Sequence, residues 1–217
     1  MGAVSIGVDI GQQRDPTALA VVERQDRSRW ALPRSERVVE PRDIRLVSDP
    51  VYVAREIGRL SLGTPYPEVA EAIRRVVDGI RLRYKGALEV RIDSTGVGAP
   101  VVDLVRAQVK AVPYVEVLAV SFTHGDRFER KGSKEATLGK AYLVSRLQAL
   151  LQTRSLKLPR TSETEALEQE LKTYEIKVSE NGNDTYGAFR VGTHDDLVTA
   201  LGLAVLPLGP SRRLVTF

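Results

Sequence analysis

Aspartates at three widely separated points of the sequence could together perform metal-dependent chemistry. Asp9 and Asp93 each end an apolar stretch, and Asp195 and Asp196 lie side by side before a third one. Aspartate is disfavoured in strands and costly to bury unless it is paired or binds a metal. Each of these residues alone fits a turn or a helix cap, so only their combination indicates a site.

Clustered carboxylates repel one another unless divalent cations neutralise them. The chain has no cysteine, which excludes disulfides and thiolate sites and leaves oxygen ligands suited to Mg²⁺ or Mn²⁺. Two such cations held about 3.5–4 Å apart can activate a water and stabilise the leaving oxygen of a phosphodiester. The aspartates therefore predict hydrolysis of phosphodiester bonds.

Hydrophobic periodicity predicts the elements that would position these acids. Alternating patterns predict strands over residues 4–10, 18–23, 30–39, 87–93 and 115–120. Helical spacing predicts helices over residues 51–62, 68–84, 101–108, 136–152, 161–172 and 195–206. Alternating runs over residues 174–179 and 185–191 flank Asn181-Gly182, which predicts a β-hairpin.

If the strands ending at Asp9 and Asp93 are neighbours in one sheet, their carboxylates emerge close together. The helix that starts at the Asp195-Asp196 pair could then bring more acid to the same point. The order of a meander, a helix, a strand, a helix, a strand and a C-terminal helix resembles a ribonuclease H-like α/β fold. We expect a mixed central sheet flanked by helices, with an added hairpin in the C-terminal half.

Composition indicates an ordinary globular domain with a mildly basic balance. A chain of 217 residues with 42% hydrophobic and 28% charged residues fits one domain, 1–217. It shows no apolar run near the roughly 18 residues of a membrane span and no secretion signal, so we expect no membrane contact and no secretion. The net charge of +4 is compatible with nucleic acid. Four residues of one Gly- and Ser-bearing loop are candidate phosphate contacts or, alternatively, a solvated surface: Arg127, Arg130, Lys131 and Lys134.

Three aspartate motifs carry a resemblance to a known family. They are GVDIGQQRDPTA at 7–18, IDSTGVG at 92–98 and HDDLVTAL at 194–201. In this order they resemble the nuclease domain of the bacteriophage terminase large subunit. Shorter stretches at 62–67, 139–144 and 167–171 resemble it too, so nearly the whole chain is covered.

The resemblance implies a Mg²⁺- or Mn²⁺-dependent endonuclease that cuts concatemeric viral DNA during genome packaging. It makes Asp9 and Asp93 metal ligands, with Asp195 and Asp196 completing the site; neighbours on a helix lie about 100° apart, so the sequence leaves open which of the pair points inward. Asp15 matches a further acidic position that could serve the second metal, although a turn residue before Pro16 explains it equally well.

The resemblance also implies partners. Lys140 matches a family lysine that could contact phosphate or balance the carboxylates. Double-stranded DNA would be the substrate, and a packaging ATPase, the small terminase subunit and the portal would complete a complex in the cytoplasm of the bacterial host. The sequence has no Gly-x-x-x-x-Gly-Lys-Ser/Thr phosphate loop, so we expect no ATPase domain in this chain.

Three alternatives remain from the sequence. A Holliday-junction resolvase or a transposase-like nuclease uses the same carboxylate chemistry on a similar fold. An actin- or sugar-kinase-type ATP-binding domain also begins with a strand ending in Asp-x-Gly, as at Asp9 to Gly11. A non-catalytic DNA-binding module would suit the basic charge, but it has no physical need for clustered carboxylates.

Overall fold

A computed structural model describes residues 2–11, 15–31, 45–96, 98–178, 184–187 and 195–208. The strands in these ranges are β1 (Ala3–Asp9), β2 (Ala18–Ala31), β3 (Arg45–Arg59), β4 (Leu88–Asp93), β5 (Val115–Thr123), β6 (Phe128–Lys131), β7 (Glu135–Gly139), β8 (Leu156–Lys157), β9 (Glu175–Val178) and β10 (Asp184–Gly187). The helices are α1 (Tyr66–Arg83), α2 (Gly98–Val109), α3 (Lys140–Gln152), α4 (Ser162–Thr173) and α5 (Asp196–Ala204).

Eight strands form one mixed sheet in the order β6-β7-β5-β4-β1-β2-β3-β8. The first three strands form an antiparallel meander, whereas β4 runs parallel to β1, β5 to β4 and β7 to β5. Because β1 and β4 are parallel neighbours, their carboxyl ends lie at the same edge of the sheet. The remaining two strands, β9 and β10, pair as the predicted antiparallel hairpin; its Asn181-Gly182 turn lies outside the described residues.

Apolar side chains form a separate core on each face of the sheet. One core joins β1 and β4 to α1 and α2, with Ile6 and Ile73 fully buried in it. The other joins β2, β5 and β7 to α3, α4 and α5, with Leu143 and Leu201 buried in it. Every residue of α5 is buried, so the helix that follows Asp195 is enclosed by protein. No helix in the described part of the chain is long and apolar enough to cross a membrane.

Two local predictions were wrong. Residues 51–59 belong to the long strand β3 instead of a short helix, because β3 pairs along its whole length with β2. Residues 136–139 belong to β7 instead of the start of a helix, because they pair with β5 and β6. In both places hydrogen bonding to neighbouring strands overrides weak local helical spacing. Most of the strand predicted at 30–39 lies outside the described residues, and residues 30 and 31 belong to β2.

Candidate active site

The predicted acids converge on one pocket at the carboxyl edge of the central strands. Six charged side chains line it: Asp9, Asp15, Asp93, Lys140, Asp195 and Asp196. Phe122 and Thr199 also line it. Residues more than 180 positions apart in the sequence thus face one volume of solvent.

The register of the sheet places Asp9 beside Asp93. Val8 of β1 is paired in parallel with Ile92 of β4, and each aspartate is the next residue on its strand. Neighbouring strands lie about 4.8 Å apart, and residues at equivalent positions of parallel strands point to the same face. The two strand-end acids are therefore neighbours because of pairing, as the sequence predicted.

Burial and mutual repulsion perturb both strand-end acids. Burial, followed by the charges of Asp93, Asp195 and Asp196, raises the pKa of Asp9 well above its ordinary value, and Lys140 offsets only part of this. Burial also raises the pKa of Asp93, against a 2.8 Å hydrogen bond that the Thr95 amide donates to its Oδ1. The pocket therefore concentrates negative charge that its own cations do not fully balance.

The adjacent aspartates at the start of α5 have different surroundings. Asp195 occupies the N-cap position of α5, yet its side chain makes no capping hydrogen bond. Its Oδ2 lies 4.0 Å from the Lys140 ammonium, and its charge acts on both Asp9 and Asp93. The simple explanation of Asp195 as a helix cap is thus not what the structure shows.

Asp196 is instead held by Arg59 at the end of β3. The guanidinium donates from Nε to Asp196 Oδ2 at 2.7 Å and from Nη2 to Oδ1 at 3.0 Å, while Nη1 reaches Glu163 at 3.1 Å. Burial alone would raise the pKa of Asp196, but hydrogen bonds from Arg59 and Glu170 outweigh it and keep that pKa below its ordinary value. Asp196 is therefore an ionised partner of Arg59.

Glu170 of α4 takes over the capping of α5. Its Oε2 accepts the backbone amides of Leu197 and Val198, each at 3.1 Å, and its Oε1 accepts a hydrogen bond from Arg59. Burial, followed by contact with the Asp196 carboxylate, raises the pKa of Glu170 to about 8. The amides at the start of a helix need an acceptor when they are buried, and Glu170 supplies it from another helix.

Arg91 holds the opposite end of α5. Its side chain is fully buried and forms an ion pair with Glu89 at 2.6 Å. Its Nη1 donates to the carbonyl oxygens of Leu203, Ala204 and Leu206 at 3.0, 3.1 and 2.8 Å. A cation at the carboxyl end and an acid at the amino end both complement the helix dipole, so α5 is fixed at its two ends.

Lys140 supplies the cation nearest to the acids. It is the first residue of α3, and its ammonium lies 5.6 Å from the centre of the Phe122 ring as well as near Asp195. Asp15 lines the pocket from the segment between β1 and β2, beside Gly11, whose amide donates to Thr17 Oγ1 at 3.0 Å.

A divalent cation fits the chemistry of this donor set. The available donors are carboxylate oxygens, the ligands that Mg²⁺ and Mn²⁺ prefer. Among the described residues, no three acidic or histidine side chains are already grouped closely enough to hold a metal ion. Burial, followed by repulsion from the neighbouring carboxylates, raises the pKa of Asp9, and a bound cation would oppose that repulsion.

The four basic residues predicted to contact DNA are not equivalent. Arg127 is exposed, and its carbonyl accepts the amide of Gly139, next to Lys140, so it lies at the pocket end of the sheet. Lys131 and Lys134 flank the far end of the β6–β7 hairpin, level with Ala119, four residues back along β5 from Thr123. At roughly 3.3 Å per residue this is about 13 Å from the pocket end.

Arg130 already has an acidic partner within the protein. Its side chain is 15% exposed, and its guanidinium forms an ion pair with Glu89 at 2.6 Å. The pair is linked to the buried Arg91 through the same Glu89 carboxylate. In this position the Glu89 carboxylate balances the charge of Arg130. A phosphate contact would have to disrupt this ion pair.

Sequence reasoning missed Arg59 and Glu170 as parts of this site. Glu170 did carry a signal, because Leu167, Glu170 and Leu171 share one face of a helix and a glutamate on an apolar stripe indicates a buried partner. Arg59 carried none, since it ends a strand in a polar stretch, 137 residues away from the acid that it binds.

Comparison with known proteins finds similarity of structure only. No protein-family model and no curated protein sequence matches the chain. The large terminase nuclease of the thermophilic phage G20c matches with a TM-score of 0.57 and 17% identity, covering 94% of this chain and 81% of that one. A magnesium-bound structure of that nuclease gives a TM-score of 0.55 with 18% identity over 94% and 80% of the two chains. The manganese-soaked terminase nuclease domain of human cytomegalovirus gives 0.54 with 13% identity over 92% and 80%.

These matches confirm the predicted fold class and the predicted resemblance at the level of fold. The mixed sheet, its flanking helices and nearly the full length of the chain correspond to nuclease domains from a phage and from human cytomegalovirus. At this identity the correspondence is one of architecture. The chain has the ribonuclease H-like fold of large terminase nuclease domains.

Proposed function

We propose that this protein is a metal-dependent DNA endonuclease. The observation that carries the proposal is the convergence of Asp9, Asp93 and Asp195 on one pocket, beside Lys140. The fold supports it, because structures of the same fold include a magnesium-bound and a manganese-soaked terminase nuclease. Fold alone does not assign an activity, so the acids carry the argument.

Asp9, Asp93 and Asp195 are the residues that would hold Mg²⁺ or Mn²⁺, with Asp15 close enough to assist. Bound there, two such cations would activate a water and stabilise the leaving oxygen of a phosphodiester. Burial and then repulsion from neighbouring acids raise the pKa of Asp9, and positive charge entering the pocket would offset the repulsion. The Lys140 ammonium, 4.0 Å from Asp195, is placed to meet a phosphate at the mouth of the same pocket.

The DNA backbone would lie across the exposed cations at this edge of the sheet. Lys140 lines the pocket, the backbone of Arg127 is hydrogen-bonded to Gly139 next to Lys140, and Lys131 and Lys134 would extend the positive surface along the β6–β7 hairpin. Contacts to phosphates position a duplex without reading its sequence, so cutting should be weakly sequence-specific and sensitive to salt.

The biological role within this proposal is the cutting of concatemeric viral DNA during genome packaging. The support is that the matched structures are terminase nucleases and that the sequence carries terminase-like aspartate motifs. Residues 1–217 would act as a single nuclease domain in the cytoplasm of a bacterial host. A packaging ATPase, the small terminase subunit and the portal are the proposed partners, since no phosphate-loop motif occurs in these residues.

Plasmid cleavage tests the activity. Supercoiled plasmid is incubated with the protein and Mn²⁺, Mg²⁺, Ca²⁺ or EDTA, alongside Asp9→Ala and Asp93→Asn. We expect nicking and linearisation with Mn²⁺ or Mg²⁺ that EDTA and both substitutions abolish, because the acids hold the metals. Circular dichroism shows whether the variants remain folded.

Two results would count against the proposal. Full cleavage by folded Asp93→Asn in Mn²⁺ would show that the site lies elsewhere. Absence of cleavage by wild-type protein that also binds no Mn²⁺ would contradict the nuclease assignment as a whole. A strong preference for four-way junctions over linear duplex would favour the resolvase alternative over a packaging nuclease.

A further inference from the structure

Two residues outside the pocket, Arg59 and Glu170, hold the first turn of α5 in place. Arg59 binds both carboxylate oxygens of Asp196 in a fork at 2.7 and 3.0 Å. The side chains are 20% and 4% exposed, so the pair is largely shielded from water. Bidentate arginine–carboxylate pairs fix orientation as well as distance.

Glu170 holds the same turn through hydrogen bonds to its backbone. It accepts the amides of Leu197 and Val198 at 3.1 Å each and contacts the same Arg59 guanidinium. Its side chain is 7% exposed. Thus α4 and β3 together fix both the side chain of Asp196 and the backbone that follows it.

This arrangement has a consequence for the adjacent acid. Both oxygens of Asp196 are occupied, and the amides that an N-cap residue normally binds are already satisfied by Glu170. Asp195 is therefore released from capping, and its carboxylate lies in the pocket near Lys140.

We propose that Arg59 and Glu170 are positioning residues that turn Asp196 away from metal and present Asp195 as the single acid that α5 contributes to the site. The inference rests on the proposed function, because it assumes that the pocket binds a divalent cation. It assigns Asp196 to the positioning network, and it assigns the metal-facing role at this helix to Asp195.

A network that only stabilised the fold would leave the metal affinity of folded variants unchanged. Arg59→Met removes one partner of a buried ion pair, which is typically strongly destabilising, so its stability is compared with that of Arg59→Lys, which keeps the positive charge. Loss of orientation would still release Asp196 and shift Asp195, and groups that orient metal ligands typically change metal affinity by about 10–100-fold. In Arg59→Lys, which keeps the charge but loses the fork, metal affinity should therefore fall more than stability does.

The test is Mn²⁺ binding measured by titration calorimetry without DNA, so that cleavage plays no part. The variants are Arg59→Met, Arg59→Lys, Glu170→Ala and Glu170→Gln, each checked by thermal denaturation. Arg55→Met is the matched control, because Arg55 lies on the same strand and pairs with Glu23 at 2.6 Å on the exposed surface.

We expect Arg59→Met and Glu170→Ala to weaken Mn²⁺ binding at least about tenfold. Glu170→Gln should recover most of the affinity, since its amide oxygen can still accept the two backbone amides. Arg55→Met should bind as wild type does. Asp195→Asn should weaken binding far more than Asp196→Asn.

Unchanged Mn²⁺ affinity in folded Arg59→Met and Glu170→Ala would overturn the inference, as would a larger loss from Asp196→Asn than from Asp195→Asn. If the severe variants do not fold, Arg59→Lys decides the matter: it should weaken Mn²⁺ binding because it loses the fork, and an unchanged affinity in folded Arg59→Lys would overturn the inference. A wild-type protein that neither binds Mn²⁺ nor cuts DNA would instead refute the proposed function.

Discussion

Gly7 of β1 lies in direct contact with the backbone of Ala200 in α5. A β-carbon added to Gly7 would come within 2.0 Å of the Ala200 oxygen and 2.6 Å of the Ala204 nitrogen. Only a glycine permits this approach of a helix to a strand. Since Asp9 is two residues beyond Gly7 and Asp195 directly precedes α5, the contact sets how closely the two acids can meet.

Gly7→Ala should therefore destabilise the protein by about 3 kcal/mol, the upper end of the usual cost of overpacking, because the neighbouring atoms are backbone and cannot move aside. Urea denaturation followed by circular dichroism measures the change. Gly79→Ala is the control: nothing lies within 4 Å of its added β-carbon, and alanine in a helix should be neutral or stabilising. Equal stabilities of the two variants would show that α5 can shift away from β1.

Much of this arrangement could be predicted from local pattern. Alternation identified β1 and β4, and with them the two strand-end acids, Asp9 and Asp93. The order of elements was sufficient for the fold class because parallel and antiparallel connections restrict the possible topologies. The hairpin of β9 and β10 followed from its turn residues and flanking alternation.

The rest depends on contacts that no local pattern encodes. Nothing near Asp195 and Asp196 distinguishes the two, because the difference arises from Arg59 and Glu170, contributed by β3 and α4. The same holds for Arg130, which was predicted to contact DNA and whose partner, Glu89, is 41 residues away in the sequence. Tertiary partners decide which charges are free to act.

Removing Arg91 should cost stability without touching the pocket directly. Arg91→Met leaves three buried carbonyl groups without this donor and leaves the Glu89 carboxylate with Arg130 as its remaining partner, and breaking such a network typically costs about 3–5 kcal/mol. Chemical denaturation measures the loss. Arg75→Met is the control. Arg75 pairs with Glu71 on the exposed surface, with 3.8 Å between Nη1 and Oε2, and such surface pairs contribute about 0–1 kcal/mol. Similar values for both variants would contradict the proposed fixing of α5.

The metal-free protein should become less stable as Asp9 ionises. Burial and the neighbouring acids raise its folded pKa well above the ordinary value of 3.8. A raised folded pKa means that the stabilising contribution is present at low pH and is lost as pH rises through the folded value. In EDTA at neutral pH, Asp9→Asn should therefore be more stable than wild type, by about 2–4 °C in Tm for each kcal/mol gained.

Mn²⁺ should reverse this order. Binding to the folded state raises Tm with ligand concentration, so wild type should gain stability and Asp9→Asn should gain little. Differential scanning calorimetry across a series of pH values, with EDTA or Mn²⁺, measures both effects. An Asp9→Asn protein that is less stable than wild type in EDTA would show that the carboxylates do not repel one another as the structure indicates.

The contribution of each basic residue to DNA affinity should fall with its distance from the pocket. Fluorescence anisotropy with a duplex in Ca²⁺, on an Asp93→Asn background, separates binding from cleavage. Each lost phosphate contact lowers the slope of log K against log salt by about 0.9. Because Arg127 lies beside Gly139 whereas Lys131 and Lys134 lie at the far end of the hairpin, Arg127→Ala should lower affinity most.

Arg130→Gln should leave the slope unchanged and lower Tm instead, since its charge is paired with Glu89. A slope reduced by Arg130→Gln as much as by Arg127→Ala would mean that DNA displaces the Glu89 ion pair.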